Sequence, residues 1–188
     1  MKRAGFISTI LFIALVYANC KHKKNDVSPA IDFIKGQIRS IDSSVDPIIE
    51  LASRTDSTYD TTNLNREQFN DLAKEFSEAP DISKKFGGKY KEERMVDNDL
   101  GQAIFISTTD DKNLEIQRQE IRVTPDEPFS KINSVYLEKF KNTPDSSMIK
   151  RMTWYADWKF QIVTLTQKKD GAENTSIVEV IWKDKKDN

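Results

Sequence analysis

Cys20 and His22, the only cysteine and the only histidine, lie two residues apart near the start of the chain, and their scarcity limits its chemistry. With a single imidazole there is no histidine base for a nucleophilic triad and no histidine-rich set of metal ligands, so neither a catalytic site nor a metal site is expected. Ser147-Met148-Ile149-Lys150 has the Ser-x-x-Lys spacing that sets a lysine one helical turn from a nucleophilic serine. Here it opens a predicted strand, where the two side chains would not face one another. Asp97, Asp99, Asp110 and Asp111 crowd two turns, and calcium needs more converging oxygens than these guarantee. Their expected role is turn chemistry. Aromatic density is left over: Trp154, Tyr155, Trp158, Phe160 and Trp182. Most should be core, but Trp158 falls in a predicted tight turn. There an indole can anchor a partner, so Trp158 is the candidate partner contact.

The element that positions Cys20 is the stretch before it. Lys2-Arg3 precede an apolar run from Phe6 to Val16 broken only by Ser8 and Thr9, and then comes Tyr17-Ala18-Asn19-Cys20. A basic start, an apolar run of roughly 7–15 residues and a small-residue junction make an export signal, not a membrane span of about 20 apolar residues. A cysteine at the end of that run resembles the lipobox of bacterial lipoprotein precursors. The resemblance implies that residues 1–19 are removed and that Cys20, diacylated on sulfur, becomes the first residue. Ala18 suits the small-residue site, whereas Tyr17 and Asn19 depart from the usual pattern. Cleavage after Val16-Tyr17-Ala18 is the alternative. Residues 20–28 then form the lipidated cysteine and a tether, with Lys21, His22, Lys23 and Lys24 placed to meet anionic headgroups. In the Bacteroidota lipoproteins that the precursor resembles, an acidic run after the cysteine accompanies export to the cell surface. The basic run here implies an outer-membrane anchor facing the periplasm.

Composition bounds the remainder to one globular domain. Hydrophobic content of 37% supports a core, and 31% charged residues supply its surface. The formal charge of −1 becomes about −3 without Lys2 and Arg3, which gives no field for nucleic acid. With no second cysteine to pair, stability must come from burial.

The domain is expected over 29–188, helical over 29–86 and stranded over 89–184. Ser28-Pro29 opens a helix whose stripe is Ile31, Ile34, Ile38, Ile41, Val45 and Ile48, with a break near Ser43 to Asp46 and a fresh helical start at Asp46-Pro47. Residues Arg54 to Asn63 read as a loop. Asn65 and Gln68 form a capping box before Phe69, Leu72, Ala73 and Phe76, and residues 82–86 suggest a further short turn of helix. Strands are predicted over 89–97, 102–109, 114–124 with a bulge, 132–142, 148–156, 159–168 and 175–184. Short loops between neighbours, above all Asp170-Gly171, imply an antiparallel meander. The fold class is therefore α+β: two N-terminal helices packed on an antiparallel meander sheet of six or seven strands.

A helix pair and a meander resemble, at fold level, small outer-membrane assembly lipoproteins and lipid-carrier lipoproteins. The first expectation is a non-catalytic binding or scaffolding lipoprotein, held to the membrane through Cys20 and contacting an envelope protein partner. The alternative is a periplasmic carrier of a lipid or other apolar ligand in a cavity under the helices. A carboxylate-dependent hydrolase is third. No cofactor is expected.

Overall fold

The computed structural model describes residues 30–53, 58–82, 88–125 and 130–183. Cys20, the signal and the tether lie outside the described residues, as do Ser28-Pro29 and most of the short turn expected at 82–86. Helix α1 spans Ala30–Asp42, followed by β1 (Ile48–Ser53), β2 (Asp60–Leu64) and helix α2 (Arg66–Ser77). Then come β3 (Lys91–Asp97), β4 (Gln102–Thr108), β5 (Ile116–Thr124), β6 (Lys131–Asn142), β7 (Ser146–Tyr155), β8 (Lys159–Lys168) and β9 (Glu173–Ile181).

The α+β class and the N-terminal helices agree with expectation, but the antiparallel sheet has nine strands and not six or seven. The two additional strands come from residues expected to continue the helix and to form a loop. Helix α1 stops at Asp42, where the Ser43 and Ser44 hydroxyls donate to the Ser40 and Ile41 carbonyls at 2.9 and 3.0 Å. Val45 is 99% exposed, so the apolar stripe ends at Ile41. Pro47 biases Asp46 toward extended backbone, and Ile48-Ile49 then favour a strand over a second helical start. Arg66 fixes the bend, its Nη2 donating to the Ser44 and Asp46 carbonyls at 2.8 Å each. Thr61, Thr62 and Leu64 supply the partner strand, with Ile48 opposite Leu64.

The order β2-β1-β9-β8-β7-β6-β5-β4-β3 is a seven-strand meander, β3 to β9, with the first hairpin added beside β9. Bulges at Ile116/Arg118 and Arg122/Val123 fall in the segment where the phase change predicted one. At the β8–β9 turn Gly171 has φ +84°, a conformation that glycine adopts without penalty. Because β2 and β3 are the two edges, the connection through α2 must cross the sheet. Eight strand spacings of about 4.8 Å put those edges on the order of 38 Å apart.

Helix α2 starts as its capping box requires: Asn65 Oδ1 accepts from the Gln68 N–H and Gln68 Oε1 accepts from the Asn65 N–H, both at 2.9 Å. Its buried face carries Phe69, Ala73 and Phe76. Phe76 meets Trp154 edge-on at 5.3 Å, Phe69 meets Trp182 at 5.9 Å, and Trp154 stacks on Phe160 at 5.3 Å. Ile31, Ile34 and Ile41 of α1 join the same cluster, whereas Ile38, mid-stripe, is only partly buried. The C-terminal aromatics Trp154, Phe160 and Trp182 are thus core, and they occupy the space between helices and sheet.

Candidate functional site

Register decides which side chains share a face. Val135 lies opposite Trp154 and Leu137 opposite Met152, so these belong to the helix-covered face. Two residues further along the same strands and face come Lys139 and Lys150, directly opposite one another, and beyond them Lys141 opposite Met148. The helix-covered face therefore changes from apolar to basic near Glu75 of α2. Like charges in register repel, and Glu75 offsets this pair: Lys150 Nζ donates to its carboxylate, while Lys139 Nζ donates to its backbone carbonyl at 2.9 Å. Lys139 also lies 3.1 Å from Glu115, and its side chain is only 14% exposed.

A groove of about 760 Å³ opens here, lined by Lys112, Lys139, Lys141, Lys150, Glu75 and Glu115 together with Asn113, Phe140, Asn142 and Met148. Lys112 comes from the β4–β5 loop, the other lysines from β6 and β7, and Glu75 from α2. Four lysines face two carboxylates. Among the described residues neither Lys112 nor Lys141 has a carboxylate partner. Nearby, the Tyr90 hydroxyl donates to the Ile116 carbonyl at 2.7 Å and ties the start of β3 to β5. Burial pushes its pKa up, and Asp111 and Glu115 add to the shift.

The opposite face carries cations that each lie beside a carboxylate. Arg118 and Arg122 approach Glu120 at 2.7 and 3.7 Å, Arg151 approaches Glu138 at 3.4 Å, and Lys159 lies 2.8 Å from Glu179. Trp158 stands at one end of that face, half-buried. The Lys159 ammonium sits 4.3 Å from the Trp158 ring centroid and 5.3 Å from that of Tyr155, a cation–π arrangement. The turn itself is held from several sides. Gln37 of α1 donates to Asp157 Oδ1 at 3.0 Å and accepts from the Asp157 N–H at 2.9 Å, while the Trp182 N–H donates to the Trp158 carbonyl at 3.0 Å. Asp157 has φ +67°, which aspartate tolerates better than most residues.

Ser147 and Lys150 lie on opposite faces of β7; the Ser147 hydroxyl donates to Asn142 and Lys150 is engaged by Glu75. Asp97 and Asp99 sit at one end of β4, and Asp110 and Asp111 at the other. Asp97 Oδ1 accepts from the Asp99 and Leu100 N–H groups, and Asp111 Oδ1 from that of Asn113, so both are turn-closing residues. Reading motifs missed Glu75 and Lys139, and met Lys150 only as the lysine of Ser-x-x-Lys. The available signal was the switch from apolar to lysine in the sets 135, 137, 139, 141 and 152, 150. Comparison with protein-family models, curated proteins and solved structures finds no match.

Proposed function

We propose that this chain is a cell-envelope protein, lipid-anchored through Cys20 at the periplasmic side of the outer membrane, which acts by binding and not by catalysis. The observation that carries the binding reading is the open groove at Glu75, where Lys139 and Lys150 of adjacent strands are held by ion pairs and the exposed Lys112 and Lys141 have no carboxylate partner among the described residues. The anchor rests on the signal ending at Cys20. Ser147 and Lys150 pointing apart, and the aspartates closing turns, weigh against a hydrolase. The apolar-carrier reading has less support, because Phe69, Phe76, Trp154, Phe160 and Trp182 fill the space where such a ligand would lie. Trp158, on the other face of the sheet, is the proposed second contact, toward an envelope partner.

The anchor is tested by expressing the full chain in a lipoprotein-processing bacterial host with a labelled fatty acid. The expected result is label and membrane association that Cys20→Ala abolishes while the fold is kept. A Cys20→Ala protein still labelled and still sedimenting with membranes refutes the anchor.

A further inference from the structure

The groove can be assigned a ligand class from its charge and donor types, an inference that rests on the binding reading above. Lys139 and Lys150 are register neighbours on one sheet face, mostly buried, and share Glu75. Two like charges in that relation are retained at a cost to stability. Among the described residues Glu75 and Glu115 face four lysines, so this part of the lining carries an excess of two positive charges. An anion entering the groove offsets that excess.

The donors narrow the class. Among the described residues every cation in the lining is lysine and none is arginine. A planar guanidinium fork matches a carboxylate in two parallel hydrogen bonds, whereas ammonium groups act as point charges that suit a tetrahedral, multiply charged anion approached from several sides. Lys112, Lys139, Lys141 and Lys150 arrive from one loop and two strands, which permits such an approach. Met148, between Lys141 and Lys150, gives the floor an apolar strip.

We propose that the groove formed by Lys112, Lys139, Lys141 and Lys150 binds a phosphate-bearing ligand. The phosphate comes from a small soluble molecule or from a phospholipid headgroup, and the two sources differ in whether the Met148 strip is used.

The test titrates the full chain by calorimetry with inorganic pyrophosphate and, separately, with dihexanoyl phosphatidylglycerol below its micelle concentration. Lys112→Glu/Lys141→Glu reverses the two unpaired charges, both exposed, and Lys35→Glu on the outer side of α1 is the charge-matched control. The expected result is saturable binding that the double variant weakens by roughly tenfold or more and the control leaves within about twofold, a difference of about 1.4 kcal/mol. In the unaltered chain, pyrophosphate should also protect Lys112 and Lys141 from reductive methylation, a readout independent of how the variant folds. Tighter binding of pyrophosphate supports the soluble source, and tighter binding of the lipid supports the headgroup. Three results overturn the assignment: no saturable binding of either probe, equal binding by the double variant, or tighter binding of citrate than of pyrophosphate. None of them alters the fractionation of Cys20→Ala, so the ligand class and the anchor fail separately.

Discussion

The two faces of this sheet solve the same electrostatic problem differently. On the outer face, Glu120 serves Arg118 and Arg122, Glu138 serves Arg151, and Glu179 serves Lys159. Near the end of α2, four lysines share two carboxylates. Among the described residues the outer sets hold four cations against three carboxylates and the groove four against two, so the groove is the less compensated of the two. The partly buried Lys139 and Lys150 cost desolvation and are met by Glu75 and Glu115, whereas the exposed Lys112 and Lys141 have no carboxylate partner among the described residues and are the charges left for an external anion.

The comparison presupposes that the apolar layer between the faces holds the fold, and the largest effect tests that. Trp154 is fully buried among Phe76, Phe160 and Trp182, so Trp154→Ala should cost about 3–5 kcal/mol in urea unfolding. Ile38→Ala, at a partly buried position, should cost less than Ile34→Ala at a fully buried one. A loss below about 1 kcal/mol at Trp154 would mean that the charges carry the fold.

Breaking the compensation on each face comes next. Glu75→Gln leaves Lys139 and Lys150 opposed with Glu115 alone. It should cost about 1–2 kcal/mol, less than for a fully buried pair because Glu75 is 38% exposed. Adding Lys150→Gln should restore most of the loss. If Lys150→Gln does not restore stability to Glu75→Gln, the opposed lysines are not what Glu75 offsets.

Trp158→Ala removes a half-buried ring beneath the Lys159 ammonium and should cost about 1 kcal/mol. Loss of binding to envelope partners with the fold intact would make the outer face a contact surface as well; unfolding of the domain would return Trp158 to the core. The smallest effect is a pH signature of the outer face. Burial, then the adjacent Glu138, pushes the Tyr136 hydroxyl from its ordinary value of 10.0 to about 12, so the folded state holds that proton where the unfolded chain has released it. Stability from this group is complete below pH 10 and is lost as pH rises toward 12. Chemical denaturation across that window should show the decline, and Tyr136→Phe should flatten it.

What the sequence disclosed follows the range of the interactions. The capping box of Asn65 and Gln68 and the Asp170-Gly171 turn are set within a few residues, so the second helix and the meander were legible. The first hairpin was not, because Ile48 also continues the spacing of the α1 stripe. What makes β1 a strand is its pairing with β9, where Ile49 lies opposite Ile181. The groove was harder still. Lys139 and Lys150 are ordinary in their own strands and become a pair only when β6 and β7 are in register, and Glu75 is fixed by how α2 crosses them. Trp158 was legible as a turn residue, but its cation–π partner was not read from its neighbour Lys159.

That late pairing of the first hairpin has a consequence for synthesis. A chain made from its N-terminus presents β1 and β2 long before β9 exists, and through that interval the inner edge of β1 is an unmatched row of amides and carbonyls open to any extended segment nearby. The sheet is closed by its last strand. Stop codons or proteolysis ahead of Glu173 would therefore do more than shorten the meander. They would strand the first hairpin and convert a finished sheet into two adhesive pieces, so loss of the final strand should be seen as aggregation and not as a smaller folded protein.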